Sequence, residues 1–201
     1  MEMTIAKKRR LSEGQHIIPN GLIGMIFLLA TEIMFFSGLI SSFVVNRAEK
    51  PGAWDAPWQH VLPIEQTLLN TIILSLSAVT MMAALWLIYR SKDLKKTQIA
   101  IIISLLLGSA FVILQGREWV SLIDYGMTTS SSIFGGFFYI IIGAHALHAV
   151  VGILILLYVF KKTKDESLTT DDKALSIMVG SIYWFFVVLL WPVLYYLVYF
   201  S

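Results

Sequence analysis

The chain contains no cysteine. Disulfide stapling, thiolate metal ligation and cysteine nucleophiles are thereby excluded. Histidine is scarce, four in 201 residues, and charged side chains make up only 14%, against about 25% in an ordinary soluble domain. The sequence has no Gly-rich phosphate loop and no Gly-x-Ser-x-Gly elbow, so the common signatures of nucleotide and acyl-transfer sites are missing. No internal repeat is evident, which counts against transporters built from duplicated halves. A net charge of +2 gives no support to nucleic-acid binding. Residues 1–20 hold Lys7, Lys8, Arg9 and Arg10 but no apolar stretch with a small-residue cleavage site, so they do not read as a secretory signal.

What is abundant is apolar surface: 57% of residues are hydrophobic and the mean hydropathy is +0.76. Five segments reach the roughly 20 residues needed to cross a bilayer as a helix. They run over residues 21–45, 66–89, 97–122, 133–160 and 173–200. The expected fold is an all-α bundle of five transmembrane helices, with residues 1–20 as a cytoplasmic segment and 21–200 as one membrane domain. The longest linker, Asn46 to Glu65, contains Pro51, Gly52, Pro57 and Pro63, and its Trp54 and Trp58 suit an interfacial belt.

Alternate connections must lie on opposite sides of the membrane. One side receives Lys7, Lys8, Arg9, Arg10, Arg90, Lys92, Lys95, Lys96, Lys161, Lys162, Lys164 and Lys173; the other receives Arg47 and Lys50. The positive-inside rule then places the N-terminus in the cytoplasm and the C-terminus in the periplasm.

Ionisable groups at mid-membrane need a partner, a cavity or a changed protonation state. Glu32 lies roughly 16 Å into the first span, counted from Gly21 at about 1.5 Å per residue. On the fourth span His145 and His148 share a face at i, i+3, at a depth similar to that of Glu32, so pairing is geometrically open. Two histidines can ligate a metal, but a closed site needs more ligands, and His16 and His60 lie on opposite sides. Hydrogen bonds to helices or to a lipid headgroup are the expected use, with Gly143, Ala144 and Gly152 permitting close helix approach. On the third span Ser104, Gly108, Phe111, Gln115 and Glu118 form a small and polar stripe that should meet protein. Glu118 lies about 31 Å along that helix from Thr97, near the far interface, where it is expected to cap or pair while Arg117 snorkels to water. Haems and copper held inside a membrane require several histidines on different helices, and only two are intramembrane here.

The first span reads ATEIMFFSGL around Glu32, the second opens LLNT with Asn70, the third reads LLGSAFVILQGREW through Gln115 and Glu118, the fourth GAHALHAVVG, and the fifth carries Tyr183, Trp184 and Trp191. In this order the motifs resemble subunit III of the haem-copper respiratory oxidases in its short, five-helix bacterial form. Thr31 stands for the usual Ser of the Ser-Glu-x-x-x-Phe pattern, and Glu32 matches the family's membrane glutamate. The resemblance implies a multi-pass subunit of the bacterial inner membrane with no redox centre of its own, haems and copper residing in partner subunits. It implies direct packing on subunit I, with subunit II in the same complex. It also implies phospholipid held in a V-shaped cleft, support of proton uptake, and protection from turnover inactivation. Membership of a larger respiratory supercomplex and the choice between cytochrome c and quinol stay open, with cytochrome c the commoner donor. In one place the chain departs from the pattern: Phe185 and Val188 replace a common His and acidic residue, so polar contacts of that helix do not carry over. A nitric oxide reductase-associated relative, a passive scaffold and a small transporter are the competing readings.

Overall fold

The computed structural model describes residues 19–50, 54 and 62–200. Residues 1–18, with their four basic side chains and His16, and the linker positions Pro51, Gly52, Pro57, Trp58 and His60 lie outside these. Among the described residues there are five long helices and no strand: α1 Asn20–Glu49, α2 Ile64–Trp86, α3 Leu94–Asp124, α4 Ile133–Lys164 and α5 Thr170–Tyr199. Each is long and apolar enough to cross a membrane. Most helix ends lie a few residues beyond the expected ones because polar turns flanking the apolar runs are helical as well, whereas α4 begins at Ile133 as expected and α5 ends at Tyr199, one residue short. α2 ends in a π turn, Leu87–Ser91, closed by Lys92 in the left-handed region at φ 51°.

Short polar connections stop and restart the chain. Asp93 accepts the Lys96 amide at the start of α3, and this bond holds its carboxyl below the ordinary value. Ser132 accepts the Gly135 amide at the start of α4. Thr169 and Asp172 form a reciprocal capping box at the start of α5. Connections this brief force neighbouring helices to run antiparallel.

The bundle is centred on α5. Trp184 and Trp191 are fully buried, together with Phe111, Phe138, Leu74 and Met81. α2 packs most extensively on α3, and α4 on α5, while α1 leans on α4 and α5 with far less contact. The Trp184 indole lies against two backbones: a Cβ at Gly108 would come within 2.6 Å of it, and one at Gly152 within 2.7 Å. These two glycines are what let α3 and α4 close on that ring. Its Nε1 donates to the Ser77 hydroxyl at 3.1 Å, and Ser104 donates to the Ser77 carbonyl at 2.9 Å, so α2, α3 and α5 are stitched in the middle of the bundle. Trp54 corrects the interfacial-belt expectation. It is 3% exposed, packs on Phe43, Phe134 and Phe137, and donates its indole N–H to the Asn46 carbonyl.

Candidate functional site: two polar clusters

Glu32 on α1 and His148 on α4 meet across the bundle, with His148 Nε2 2.7 Å from Glu32 Oε2. The other ring nitrogen, Nδ1, lies 2.6 Å from the Ala144 carbonyl oxygen. A carbonyl can only accept, so Nδ1 carries a hydrogen. The contact between imidazole and carboxyl therefore holds a single proton: either a carboxylic acid donates to Nε2, or an imidazolium donates to a carboxylate. Both arrangements are neutral overall, which is how a titratable pair can persist at mid-membrane. The pair is not sealed, with side-chain exposures of 15% for His148 and 19% for Glu32. Phe35 and Phe36 pack on the imidazole, and a cavity of about 160 Å³ lined by Leu28, Leu147, Val151 and Tyr183 opens onto both groups.

His145 behaves differently from its neighbour. It is fully buried, and neither ring nitrogen has a hydrogen-bond partner among the described residues. Trp191, Phe111 and Phe36 surround it, the nearest ring centroid at 5.0 Å. The expectation that both imidazoles would hydrogen-bond holds for His148 and fails for His145. Gly152 faces Trp184 and His145 faces Trp191, so the antiparallel register of α4 and α5 sets Val188 at the level of His148. An apolar residue therefore stands where a polar one would have reached these rings.

The second cluster joins the candidates Asn70, Gln115 and Glu118. Asn70 Nδ2 donates to Gln115 Oε1 at 3.2 Å and to the Phe111 carbonyl at 3.3 Å. Gln115 Nε2 donates to the Tyr199 hydroxyl at 3.2 Å, and that hydroxyl donates in a short bond to Glu118 Oε1. Thr67 supplies a second donor to Glu118 Oε2 at 2.9 Å. The donors run in one direction and end on the carboxylate, and all five side chains are buried. Ser104, Gly108 and Phe111 are buried too, so the whole stripe faces protein. Arg117 points away to an exposed position, without an ion-pair partner among the described residues. Thr67 and Tyr199 were not singled out for this cluster by sequence. Thr67 shares a helix face with Asn70 three residues on, which is a usable signal, whereas Tyr199 reads as one of several tyrosines at a helix end.

Among the described residues no group of three or more His, Asp or Glu is placed to hold a metal ion. The two clusters are networks of hydrogen-bond donors and acceptors spread over five helices. Residues 7–201 match the family model described as cytochrome c oxidase subunit III. The chain belongs to the cytochrome c oxidase subunit III family. It is 33% identical over 183 residues to the probable cytochrome c oxidase subunit 3 of Mycobacterium leprae, covering 90% of this chain and 89% of that one. It is 34% identical over 186 residues to cytochrome c oxidase subunit 3 of Corynebacterium diphtheriae, with the same coverage. The Lemur catta protein of the same name is 29% identical over 195 residues, 93% of this chain and 69% of that one. As a subunit III family member, the protein is a multi-pass membrane subunit of a haem-copper oxidase complex.

Proposed function

We propose that this subunit packs directly on the haem- and copper-bearing subunit I, beside subunit II, in the bacterial cytoplasmic membrane. It carries no redox centre and serves proton uptake and turnover stability. The observation that carries the reading is the 2.7 Å contact between His148 and Glu32, the latter on the most loosely packed helix. A neutral proton-sharing pair that opens onto a cavity at its edge is suited to handing protons along a protein surface. The distribution of Lys and Arg supports an N-terminus in the cytoplasm and a C-terminus in the periplasm. The names of the relatives favour cytochrome c as the electron donor of the complex, over the nitric oxide reductase alternative. The apolar outer faces of α1, where Phe27 and Met34 are among the most exposed side chains, leave room for bound phospholipid and for subunit I.

The test compares three assembled oxidases, complete, lacking this chain, and carrying Glu32→Gln, by oxygen consumption over many turnovers. Removal of the chain is expected to shorten the catalytic lifetime several-fold, and the substitution to shorten it in part. An oxidase without the chain that keeps both its rate and its lifetime would leave only the passive scaffold.

A further inference from the structure

The cavity of about 160 Å³ beside the Glu32–His148 pair is walled by α1, α4 and α5. Leu28, Leu147 and Val151 make it largely apolar, and a third polar side chain, Tyr183, joins Glu32 and His148 in its lining. The Tyr183 ring packs against Gly152, where an added Cβ would lie 3.4 Å from the ring edge. Gly152 follows His148 by one helical turn, so the missing side chain there makes room for a phenol next to the imidazole. Tyr183 is 2% exposed, which holds the ring in one place. Its hydroxyl makes no hydrogen bond among the described residues and is not one of their sealed polar atoms, so it reaches open space, and the cavity is the space beside it.

The Glu32–His148 pair leaves one valence open on the same side. Nε2 and Oε2 meet each other and Nδ1 meets the Ala144 carbonyl, so both imidazole nitrogens are used. Glu32 Oε1 has no hydrogen bond among the described residues and is likewise not sealed. A carboxyl oxygen and a phenol hydroxyl therefore share an apolar chamber without touching. The chamber is too small for an organic ligand, whose sites measure roughly 300–1,000 Å³. It has room for a few water molecules at about 30 Å³ each, and a water needs at least two polar partners, which Oε1 and the hydroxyl supply.

We propose that Tyr183 is a positioning residue that holds water against Glu32 Oε1, and that this water is the route by which protons reach and leave the Glu32–His148 pair. A proton arriving on the water as hydronium moves to Oε1 and leaves neutral water behind, while the proton already shared settles on Nε2. The pair becomes an imidazolium beside a carboxylic acid, with one positive charge, and the reverse step returns the proton to the water. Tyr183 keeps its own proton throughout. The water solvates the transient charge, which hydrocarbon walls alone would not. The mouth of the cavity lies between Leu28 and Leu147, 40% and 63% exposed, so it faces whatever packs beside α1 and α4. The route rests on the proton role proposed for Glu32.

The test uses assembled oxidases carrying Tyr183→Phe, Glu32→Gln and both substitutions. Proton uptake in a single turnover is one readout. The other is the infrared band of Glu32, identified as the carboxyl band that Glu32→Gln removes; a merely structural role of Tyr183 would not move it. Tyr183→Phe removes only the hydroxyl, and it is expected to shift the Glu32 band and to slow uptake several-fold. The double variant should be no slower than Glu32→Gln alone, because Tyr183 acts through Glu32. An unmoved Glu32 band in Tyr183→Phe overturns the proposal, as does a double variant slowed by the product of the two single effects. Wild-type uptake in Tyr183→Phe, with slowed uptake in Glu32→Gln, overturns the proposal and leaves the proton role of Glu32 standing. Wild-type uptake in Glu32→Gln overturns both. If Tyr183→Phe does not assemble, Val151→Phe decides, since it fills the cavity from α4 and keeps the hydroxyl. It is expected to give the same band shift and slowed uptake, and the absence of either overturns the proposal.

Discussion

Two carboxyls inside the same bundle are stabilised in opposite ways. Glu32 has one partner that can itself carry a proton, whereas Glu118 is held by fixed donors from Tyr199 and Thr67. The first arrangement allows a proton to change owner at no cost in net charge; the second orders three helices around a carboxylate. Tyr199→Phe should therefore act on stability rather than on proton handling. It removes the donor to Glu118 and leaves Gln115 Nε2 unpaired in a buried site. A loss of about 1–3 kcal/mol is expected, read as a lower thermal midpoint of the purified complex at unchanged initial turnover. The depth of Glu32 and of His145 and His148 could be counted along each helix from the sequence, which is why a pairing was open, but not which histidine would take part. The partner of Glu118 lies 81 residues away on the last helix, and no periodicity links positions so distant. Likewise nothing local signals that His145 sits in an aromatic cage while His148, three residues on, reaches a carboxyl.

Helix packing depends on small residues placed opposite one large ring. Trp184 occupies the space that side chains at Gly108 and Gly152 would fill. Gly152→Val must push the indole away and break its bond to Ser77, so overpacking of about 1–3 kcal/mol is expected. Intrinsic tryptophan fluorescence should shift with it, and the variant should dissociate from the complex at a lower temperature than the wild type. The motif GAHALHAVVG marks Gly152 as a site of close approach in the sequence, while the ring that fills the gap emerges only when α5 is laid antiparallel on α4. Trp54 illustrates the reverse failure. A tryptophan in a Pro-rich linker suits the headgroup region by composition, yet Phe43, Phe134 and Phe137 form an aromatic slot that draws it into protein.

At the scale of the whole molecule, five apolar runs of membrane-spanning length dictate the architecture, because a chain in lipid must satisfy its backbone within each segment. That is why the helix count and class were readable before any contact was known. The same runs carry the topology, since basic residues cluster at the connections of one side. Reporter fusions at the two ends should place the N-terminus inside and the C-terminus outside; both ends on one face would contradict a five-span chain. The looseness of α1 is the global feature that gives Glu32 its meaning. A helix that buries few side chains within its own subunit leaves its titratable pair close to whatever packs alongside. The most direct test is the rate of proton uptake by the assembled oxidase during a single turnover, followed with a pH indicator, in wild type and in Glu32→Gln. The substitution keeps the shape of the contact with His148 and removes its shared proton, so uptake slowed several-fold in an intact complex is predicted. Uptake at the wild-type rate in that complex would contradict a role for this subunit in proton handling.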